Sequence, residues 1–266
     1  MNTLVLSSKT TIGAMLLPFL FILMWSSGYV VGKVGLPYAG PFTLLFLRFG
    51  SAALILLLVA WMTNAKWPQT KLAYFHLVVV GVLVQALQFS GLYSGMKLGV
   101  TAGVSALIVG TMPIFTAIGA SVFLLEKVSP KQWLGLATGL FGVALVVGNK
   151  IGLGEASMAG YGAVVLALIG ITLCTLYQKK YCVGLDLRAA GFVQLAVASV
   201  IAFSLAKCFE NLAVEWTGQF VFASILLSVV NSIGAVSLLF ILMRKGEASK
   251  MASLFYLIPG VTAMMG

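Results

Sequence analysis

The stretch KLGVTAGVSALIVGTMP at residues 97–113 has a counterpart, RKGEASKMASLFYLIP, at residues 244–259. A shift of 146 residues places Pro113 on Pro259. The same shift aligns further pairs along successive apolar segments: Lys33 with Lys179, Phe46 with Phe192, Arg48 with Gln194, Gln85 with Asn231, Ala102 with Ala248 and Thr116 with Thr262. Because the order is kept along the chain, the pattern predicts an internal repeat.

The composition is that of a chain surrounded by lipid. Of the 266 residues, 61% are hydrophobic and 8% are charged, and the mean hydropathy is +1.10. Soluble domains are about one quarter charged, so a soluble enzyme, a disordered segment and a secreted disulfide scaffold are excluded. The net charge of +10 lies in short loops between apolar segments and does not indicate nucleic-acid binding. We predict an all-α polytopic membrane protein.

Nine segments are candidates for membrane spans, since a spanning helix needs about 20 apolar residues. They are residues 11–32, 41–63, 72–95, 100–124, 131–149, 157–178, 187–207, 218–242 and 247–266. The first repeat occupies residues 1–150 with five spans, and the second occupies residues 151–266 with four. Because five is odd, the second unit runs inverted across the membrane. Inverted repeats are a transporter architecture with a binding site near the middle of the bilayer.

The distribution of lysine and arginine predicts the orientation. With the N-terminus inside, the cytoplasmic loops carry eleven of these residues: Lys9, Lys66, Lys71, Lys127, Lys131, Lys179, Lys180, Arg188, Arg244, Lys245 and Lys250. The opposite side carries four: Lys33, Lys97, Lys150 and Lys207. This bias predicts a cytoplasmic N-terminus.

Several short motifs occur along the chain, five in the first half and two in the second. They are Trp25-Ser26-Ser27, Phe46-Leu47-Arg48-Phe49, the stretch from Lys97 to Pro113, Phe123-Leu124-Leu125-Glu126-Lys127, Trp133-Leu134-Gly135, Arg244 to Ser249, and Leu257-Ile258-Pro259. Together they resemble the EamA repeat of the drug/metabolite transporter superfamily. The resemblance covers nearly the whole chain, and it implies a ten-helix permease of the cell inner membrane that exports amino acids or other small metabolites.

The second repeat departs from this pattern, because only seven residues follow Pro259. The resemblance implies a tenth helix there, which contributes to packing and to contacts in a homodimer. We therefore interpret the fold as five plus four helices with the tenth missing. A truncated permease is the favoured interpretation, and a nine-helix variant is the alternative.

Arg48 is the first candidate for substrate binding, because a charged side chain inside a span is costly and usually functional. Its guanidinium suits a substrate carboxylate, and snorkelling to the interface is the alternative. Gln85 and Gln88 share a helix face, and Asn231 is the repeat counterpart of Gln85. Amides suit a zwitterion because they both donate and accept. Hydrogen bonding between helices is their alternative role.

Four aromatic residues are further candidates for the substrate site. Trp25 and Tyr29 lie four residues apart in the first span, and Tyr93 and Tyr256 lie in the third and ninth. Such rings stack on a substrate, but they also pack in cores and in interfacial belts. The sequence leaves both roles open.

Two further features bear on mechanism. Pro113 and Pro259 occupy equivalent points of the two halves and predict hinges beside the site, with packing kinks as the alternative. His76 lies near the cytoplasmic end of its span. It is a candidate proton site because histidine titrates near neutrality, and a structural histidine is the alternative.

The six acidic residues all lie at span ends or in loops: Glu126, Glu155, Asp186, Glu210, Glu215 and Glu247. An exporter of lipophilic cations would need a buried carboxylate, so Arg48 with amides favours zwitterionic or anionic substrates. Neither the three cysteines, Cys174, Cys182 and Cys208, nor any other motif forms a metal site or an enzyme active site.

We therefore predict a secondary transporter that exports amino acids or similar small zwitterionic or anionic metabolites by alternating access. Its partners are a small-molecule substrate and membrane lipids, with no nucleic acid, cofactor or metal. The alternatives are an inactive truncated permease and an exporter of other drugs or metabolites, including cations.

Overall fold

The computed structural model describes residues 5–148, 156–245 and 252–265. In this part of the chain the regular structure is helical, apart from one isolated bridge between Ala39 and Val214. The helices are α1 Val5–Gly35, α2 Pro41–Met62, α3 Lys71–Lys97, α4 Ala102–Phe123, α5 Pro130–Gly148, α6 Met158–Tyr181, α7 Leu187–Phe209, α8 Gly218–Arg244 and α9 Ser253–Met265. The predicted all-α architecture is confirmed.

Seven of the described helices are long and apolar enough to cross a membrane: α1 over Leu16–Gly35, α2, α3, α4, α6, α7 and α8. Helix α5 has 19 residues, and α9 is a shorter apolar helix. The protein is therefore a multi-pass membrane protein. The repeat boundary that we predict between residues 150 and 151 lies outside the described residues, as do 247–251 and 266 of the ninth predicted span.

Most helices begin at a residue that satisfies their first N–H groups. Thr70, Thr101, Ser157 and Thr217 each accept a hydrogen bond from the backbone N–H three residues on, which is the usual N-cap geometry. Helix α2 instead begins with Pro41, whose missing N–H costs nothing at this position.

Two π-helical segments interrupt the long helices α3 and α8. They span Gly81–Gln88 and Leu227–Ala235, so their first residues are separated by the 146 residues of the sequence repeat. A π-helix is uncommon and is frequent at functional sites. Its occurrence at equivalent positions is what an internal repeat of this length predicts.

Helices α4 and α9 change direction at equivalent points. Helix α4 is interrupted by a turn at Gly110 and Thr111, just before Pro113, and α9 has a turn at Leu257, just before Pro259. A proline cannot donate to the preceding turn of a helix, which explains why the chain breaks there. The breaks lie where the sequence predicts hinges, and their movement stays a prediction.

Helices α2 and α7 pack together extensively, as do α3 and α6, and α3 also packs against α7 and α2. Helix α1 packs against α4, α8 and α9. The loop before α2 meets the loop before α8, where the Glu215 N–H donates to the Tyr38 carbonyl at 2.9 Å. Helices from the first and second halves therefore interleave, and α3 lies at their centre.

Candidate functional site

Arg48 connects helices of both halves of the chain. Its side chain is fully buried in α2. Its Nε donates to the Ser232 hydroxyl of α8 at 2.7 Å, and its Nη1 donates to the Tyr93 hydroxyl of α3 at 2.7 Å. The Tyr93 hydroxyl in turn lies 3.4 Å from the Gly28 carbonyl of α1, to which it donates. One guanidinium thus joins the hydrogen bonding of four helices.

Aromatic rings surround the guanidinium on its remaining sides. The Arg48 Cζ lies 4.1 Å from the ring centroid of Phe89 and 5.4 Å from that of Phe49. Such cation–π contacts stabilise a desolvated cation. The Arg48 Nη2 is buried and has no hydrogen-bond partner among the described residues. The guanidinium is therefore held in place with one donor nitrogen unused.

The charge of Arg48 has no counterion on the helices. No aspartate or glutamate occurs within any of the nine described helices. A buried cation is costly unless an anion pairs with it. The arrangement therefore suits a bound molecule that carries a carboxylate or another anionic group.

Asn231 lies beside Ser232 in the π-helical segment of α8. Its Nδ2 donates to the Met24 carbonyl of α1 and lies 3.4 Å from the Ser27 hydroxyl, whereas its Oδ1 is buried without a partner among the described residues. This amide therefore ties α8 to α1 and keeps one acceptor unused.

A small cavity lies between α1, α3 and α8. Its lining includes Asn231, Trp25, Tyr29, Phe89 and Leu92. The cavity volume of about 10 Å³ holds about one water molecule. The structure is therefore closed around this region, and a metabolite can enter only if the surrounding helices separate.

Gln85 and Gln88 lie in the π-helical segment of α3. Both side chains are buried, and the Gln85 Oε1 and both amide atoms of Gln88 have no partner in the described part of the chain. Arg48, these glutamines and Asn231 are thus all buried polar groups in spans, with Asn231 and the glutamines placed on the two π-helical segments.

Comparison with known proteins identifies the family. Residues 11–148, more than half of the chain, match the model of the EamA-like transporter family. The chain belongs to this family. The resemblance read from the sequence is confirmed, and the protein is a transporter.

Several relatives agree with this assignment. The EamA-like chain is 28% identical over 254 residues to the uncharacterized transporter YvbV of Bacillus subtilis, with 92% of this chain and 80% of YvbV covered. It is 23% identical over 250 residues to the uncharacterized inner membrane transporter YedA of Escherichia coli, covering 93% and 80%. A probable amino-acid metabolite efflux pump of Salmonella typhimurium is 29% identical over 165 residues, covering 62% of this chain and 52% of the pump.

The fold also matches a solved crystal structure. The TM-score is 0.72 at 18% sequence identity, and the match covers 95% of this chain and 87% of the other. This likeness concerns the fold alone. The family and the relatives are named as transporters and not as enzymes.

The structure of this EamA-like transporter brings some of the sequence candidates together and separates others. Trp25, Tyr29 and Asn231 line the same cavity, and Tyr93 binds Arg48. Tyr256 instead donates to the Leu136 carbonyl of α5 at 3.0 Å. It is therefore a contact between α9 and α5, and its substrate role stays a prediction.

His76 lies in a different cluster from Arg48. Its Nδ1 is 2.7 Å from the Tyr177 hydroxyl of α6, and its ring stacks on Tyr181 with 4.8 Å between centroids. The cluster joins the first turns of α3 to the end of α6. A proton role for His76 stays a prediction.

Sequence reasoning missed two contacts of Arg48 and one buried amide in this EamA-like transporter. Ser232 and Phe89 contact Arg48 directly, and Gln194 is fully buried in α7. A serine or a phenylalanine in an apolar span carries no signal of its own. Gln194 did carry one, because the repeat aligns it with Arg48.

Proposed function

We propose that this protein is a secondary transporter that exports amino acids or similar small zwitterionic or anionic metabolites by alternating access. The substrate carboxylate binds Arg48, whose Nη2 has no partner among the described residues and whose charge no helical acid balances. This single observation carries the proposal. A carboxylate would pair with the buried guanidinium and accept its unused donor.

The surroundings of Arg48 support the same assignment. Ser232 and Tyr93 orient the guanidinium through its other nitrogens, so little rotamer freedom is lost when a substrate binds. The unused Asn231 Oδ1 is a neutral acceptor suited to an ammonium group. The naming of the Salmonella relative as a probable amino-acid metabolite efflux pump points to the same substrate class.

The cavity supports an alternating-access mechanism. At about 10 Å³ it is too small for a metabolite, so transport requires α1, α3 and α8 to move apart around Arg48. If the Arg48–Ser232 and Arg48–Tyr93 hydrogen bonds break at different steps of the cycle, the site opens alternately between α2 and α8 and between α2 and α3. The helix breaks before Pro113 and Pro259 lie in α4 and α9, which pack beside α1.

We also propose that the protein lies in the cell inner membrane with its N-terminus in the cytoplasm. The eleven to four distribution of lysine and arginine supports this orientation. The name of the Escherichia coli relative, an inner membrane transporter, supports the location.

Counterflow in proteoliposomes tests the function. A labelled panel of amino acids, organic anions and quaternary cations is offered to the wild type, to Arg48→Lys and to Arg48→Ala. We expect saturable counterflow of an amino acid by the wild type. A hydrogen bond to a charged group contributes about 1.5–3 kcal/mol, so both variants should lose about 10- to 150-fold in apparent affinity.

Ser51→Ala is the matched control. Ser51 lies one turn from Arg48 on α2 and is exposed, and its hydroxyl bonds the Leu47 carbonyl of its own helix and the Ser228 hydroxyl of α8 without touching the guanidinium. We expect it to transport like the wild type. Unaltered amino-acid counterflow by Arg48→Ala would overturn the role of Arg48, and counterflow confined to quaternary cations would overturn the substrate class.

A further inference from the structure

Helices α2 and α7 contact each other in one antiparallel register. Positions that rise along α2 meet positions that fall along α7, and the register does not shift. Two contacts are between rings, with centroids 6.2 and 5.0 Å apart, and two are at glycines, where a Cβ would lie 3.1 and 2.7 Å from the partner side chain: Phe42 with Phe209, Phe46 with Phe203, Gly50 with Ser199, and Leu56 with Gly191. Helices packed in this way cannot slide or separate without losing contacts along the whole pair.

Hydrogen bonds also join α2 and α7 at both ends. At the start of α2, the Glu210 carboxylate accepts from two N–H groups of the first turn at 2.8 Å. At the other end, the Arg188 guanidinium donates to the Thr63 carbonyl at 3.2 Å, and the Lys66 N–H donates to the Asp186 carboxylate at 3.2 Å. Hydrogen bonds that involve a charged group are the stronger kind. Both ends of the pair are therefore fixed.

The contact between α2 and α8 is looser. It includes the Ser51 and Ser228 hydroxyls, 2.8 Å apart, and the bond from Arg48 to Ser232. A groove of about 300 Å³ lies between the two helices, and both Ser51 and Ser228 line it. Atoms that face a gap lose the dispersion contacts that a closely packed partner would supply. Helix α8 should therefore separate from α2 more easily than α7 does.

The repeat predicted from the sequence relates these contacts to one another. It places α2 on α7 and α3 on α8, as in the pairs Arg48 with Gln194 and Gln85 with Asn231. If the two halves exchange conformations across the membrane, the α2–α8 contact becomes the α7–α3 contact, whereas the α2–α7 contact becomes itself. In this structure α3 and α7 are close, since a Cβ on Gly81 would lie 2.7 Å from the Gln194 carbonyl oxygen.

We propose that α2 and α7 form the fixed unit of the transport cycle, against which α8 and α3 move in turn. The inference rests on the alternating access of the proposed function and adds which helix contacts open. When α8 leaves α2, the Ser51–Ser228 and Arg48–Ser232 bonds break and the groove widens. In the opposite state the groove closes, and α3 separates from α7.

Disulfide cross-links test the proposal in a chain whose three native cysteines are replaced by alanine. Gly50→Cys/Ser199→Cys joins α2 to α7, and Ser51→Cys/Ser228→Cys joins α2 to α8. Both pairs are close enough for a disulfide, because a Cβ on Gly50 would lie 3.1 Å from the Ser199 Oγ and the two serine Oγ atoms are 2.8 Å apart. The cross-links start from neighbouring residues of α2, so they differ mainly in the partner helix.

Counterflow of a labelled mixture of amino acids is measured in proteoliposomes after oxidation with copper phenanthroline and again after reduction. We expect the oxidised α2–α7 variant to keep the counterflow of its reduced form. The oxidised α2–α8 variant should lose counterflow, and dithiothreitol should restore it. The reduced form of each variant is its own control for folding.

Distances between spin labels provide a readout that needs no transport. In the same cysteine-free chain, labels are attached to Trp61→Cys/Phe209→Cys for α2 and α7, and to Trp61→Cys/Phe222→Cys for α2 and α8. All three positions are exposed, so the labels should disturb packing little. In nanodiscs, with and without the amino-acid mixture, we expect one narrow distance distribution for α2–α7 and two populations for α2–α8.

Loss of counterflow on oxidation of the α2–α7 variant, or two populations between these helices, would overturn the fixed unit and leave the proposed function in place. Full counterflow with α2 cross-linked to α8, or a single distribution for that pair under both conditions, would overturn the movement of α8. If the wild type gives no counterflow, the proposed function fails, and the spin-label distances decide whether α2 and α7 stay fixed.

Discussion

Glu210, the residue after α7, binds the start of α2 through Thr43. One carboxylate oxygen accepts from the Thr43 N–H at 2.8 Å and from the Thr43 hydroxyl at 2.6 Å, and the other accepts from the Phe42 N–H at 2.8 Å. Helix α2 begins after Gly40, which has no side chain to cap it. At the equivalent N-cap position of α7, Asp186 caps its own helix. Helix α2 is therefore capped by a residue from the second half of the chain, whereas α7 is capped by the residue that precedes it.

We expect Glu210→Ala to lower the apparent Tm in detergent. The carboxylate satisfies two N–H groups at the positive end of the α2 dipole. Loss of a cap costs about 1 kcal/mol, which corresponds to about 2–4 °C in a chain of this size. Glu215→Ala is the control, because its side chain is exposed in the same loop. Equal Tm values for the two variants would contradict the capping role.

Gly40→Ala should destabilise the protein through the same contact. A Cβ at residue 40 would lie 2.2 Å from the Glu210 Cδ, so the carboxylate must move away from α2. We expect the double variant Gly40→Ala/Glu210→Ala to lose less stability than the sum of the single variants, because residues in contact are not additive. Gly218→Ala, where a Cβ meets nothing within 4 Å, is the control. Full additivity would show that Gly40 acts independently of Glu210.

Tyr93→Phe should destabilise the protein by removing one hydrogen bond of Arg48. The change removes the partner of the Arg48 Nη1 and leaves a second donor nitrogen of a buried cation unpaired, at a cost of about 1–3 kcal/mol. We expect a lower Tm without substrate, part of which a saturating carboxylate substrate restores by binding the folded state. The control is Tyr74→Phe, on the exposed first turn of α3. A variant that unfolds like the wild type would show that Tyr93 does not hold Arg48.

The Asp186 carboxylate should make stability fall at low pH. The Arg188 guanidinium beside Asp186 holds the pKa of that carboxyl well below its usual range, helped by the backbone N–H groups of Arg188 and Lys66. A lowered pKa in the folded state stabilises above the ordinary value of about 3.9. The contribution is lost as pH falls through the folded pKa.

Thermal unfolding between pH 7 and low pH measures this effect in the wild type and Asp186→Asn. Asparagine still caps a helix, so the variant should lose at most about 1 kcal/mol at pH 7, as for exposed ion pairs. It should also show a smaller loss of Tm below about pH 4. Glu215→Gln, which changes an exposed acid in the loop after α7, should keep the full loss. Identical profiles for the wild type and Asp186→Asn would contradict the assignment.

The features that could be predicted from sequence were those with a local signal. Arg48 was identified because a charged residue in an apolar run is rare whatever surrounds it. Gln85 and Asn231 were found because the repeat aligns them. Tyr256 gave the same signal as Tyr93, yet one contacts the Leu136 carbonyl and the other Arg48. An aromatic residue in a span does not reveal whether it packs in the core or lines a site.

The sequence by itself determined the all-helical membrane fold, the order of its spans, the repeat and the buried arginine, because hydropathy and spacing are properties of neighbouring residues. Only the tertiary structure decided that Arg48 binds Ser232, 184 residues away, that Glu210 caps α2, and that Gln194 packs against α3. These contacts depend on how helices distant in sequence pack together. The sequence around a serine, a glutamate or a glutamine does not indicate which helix its side chain will contact.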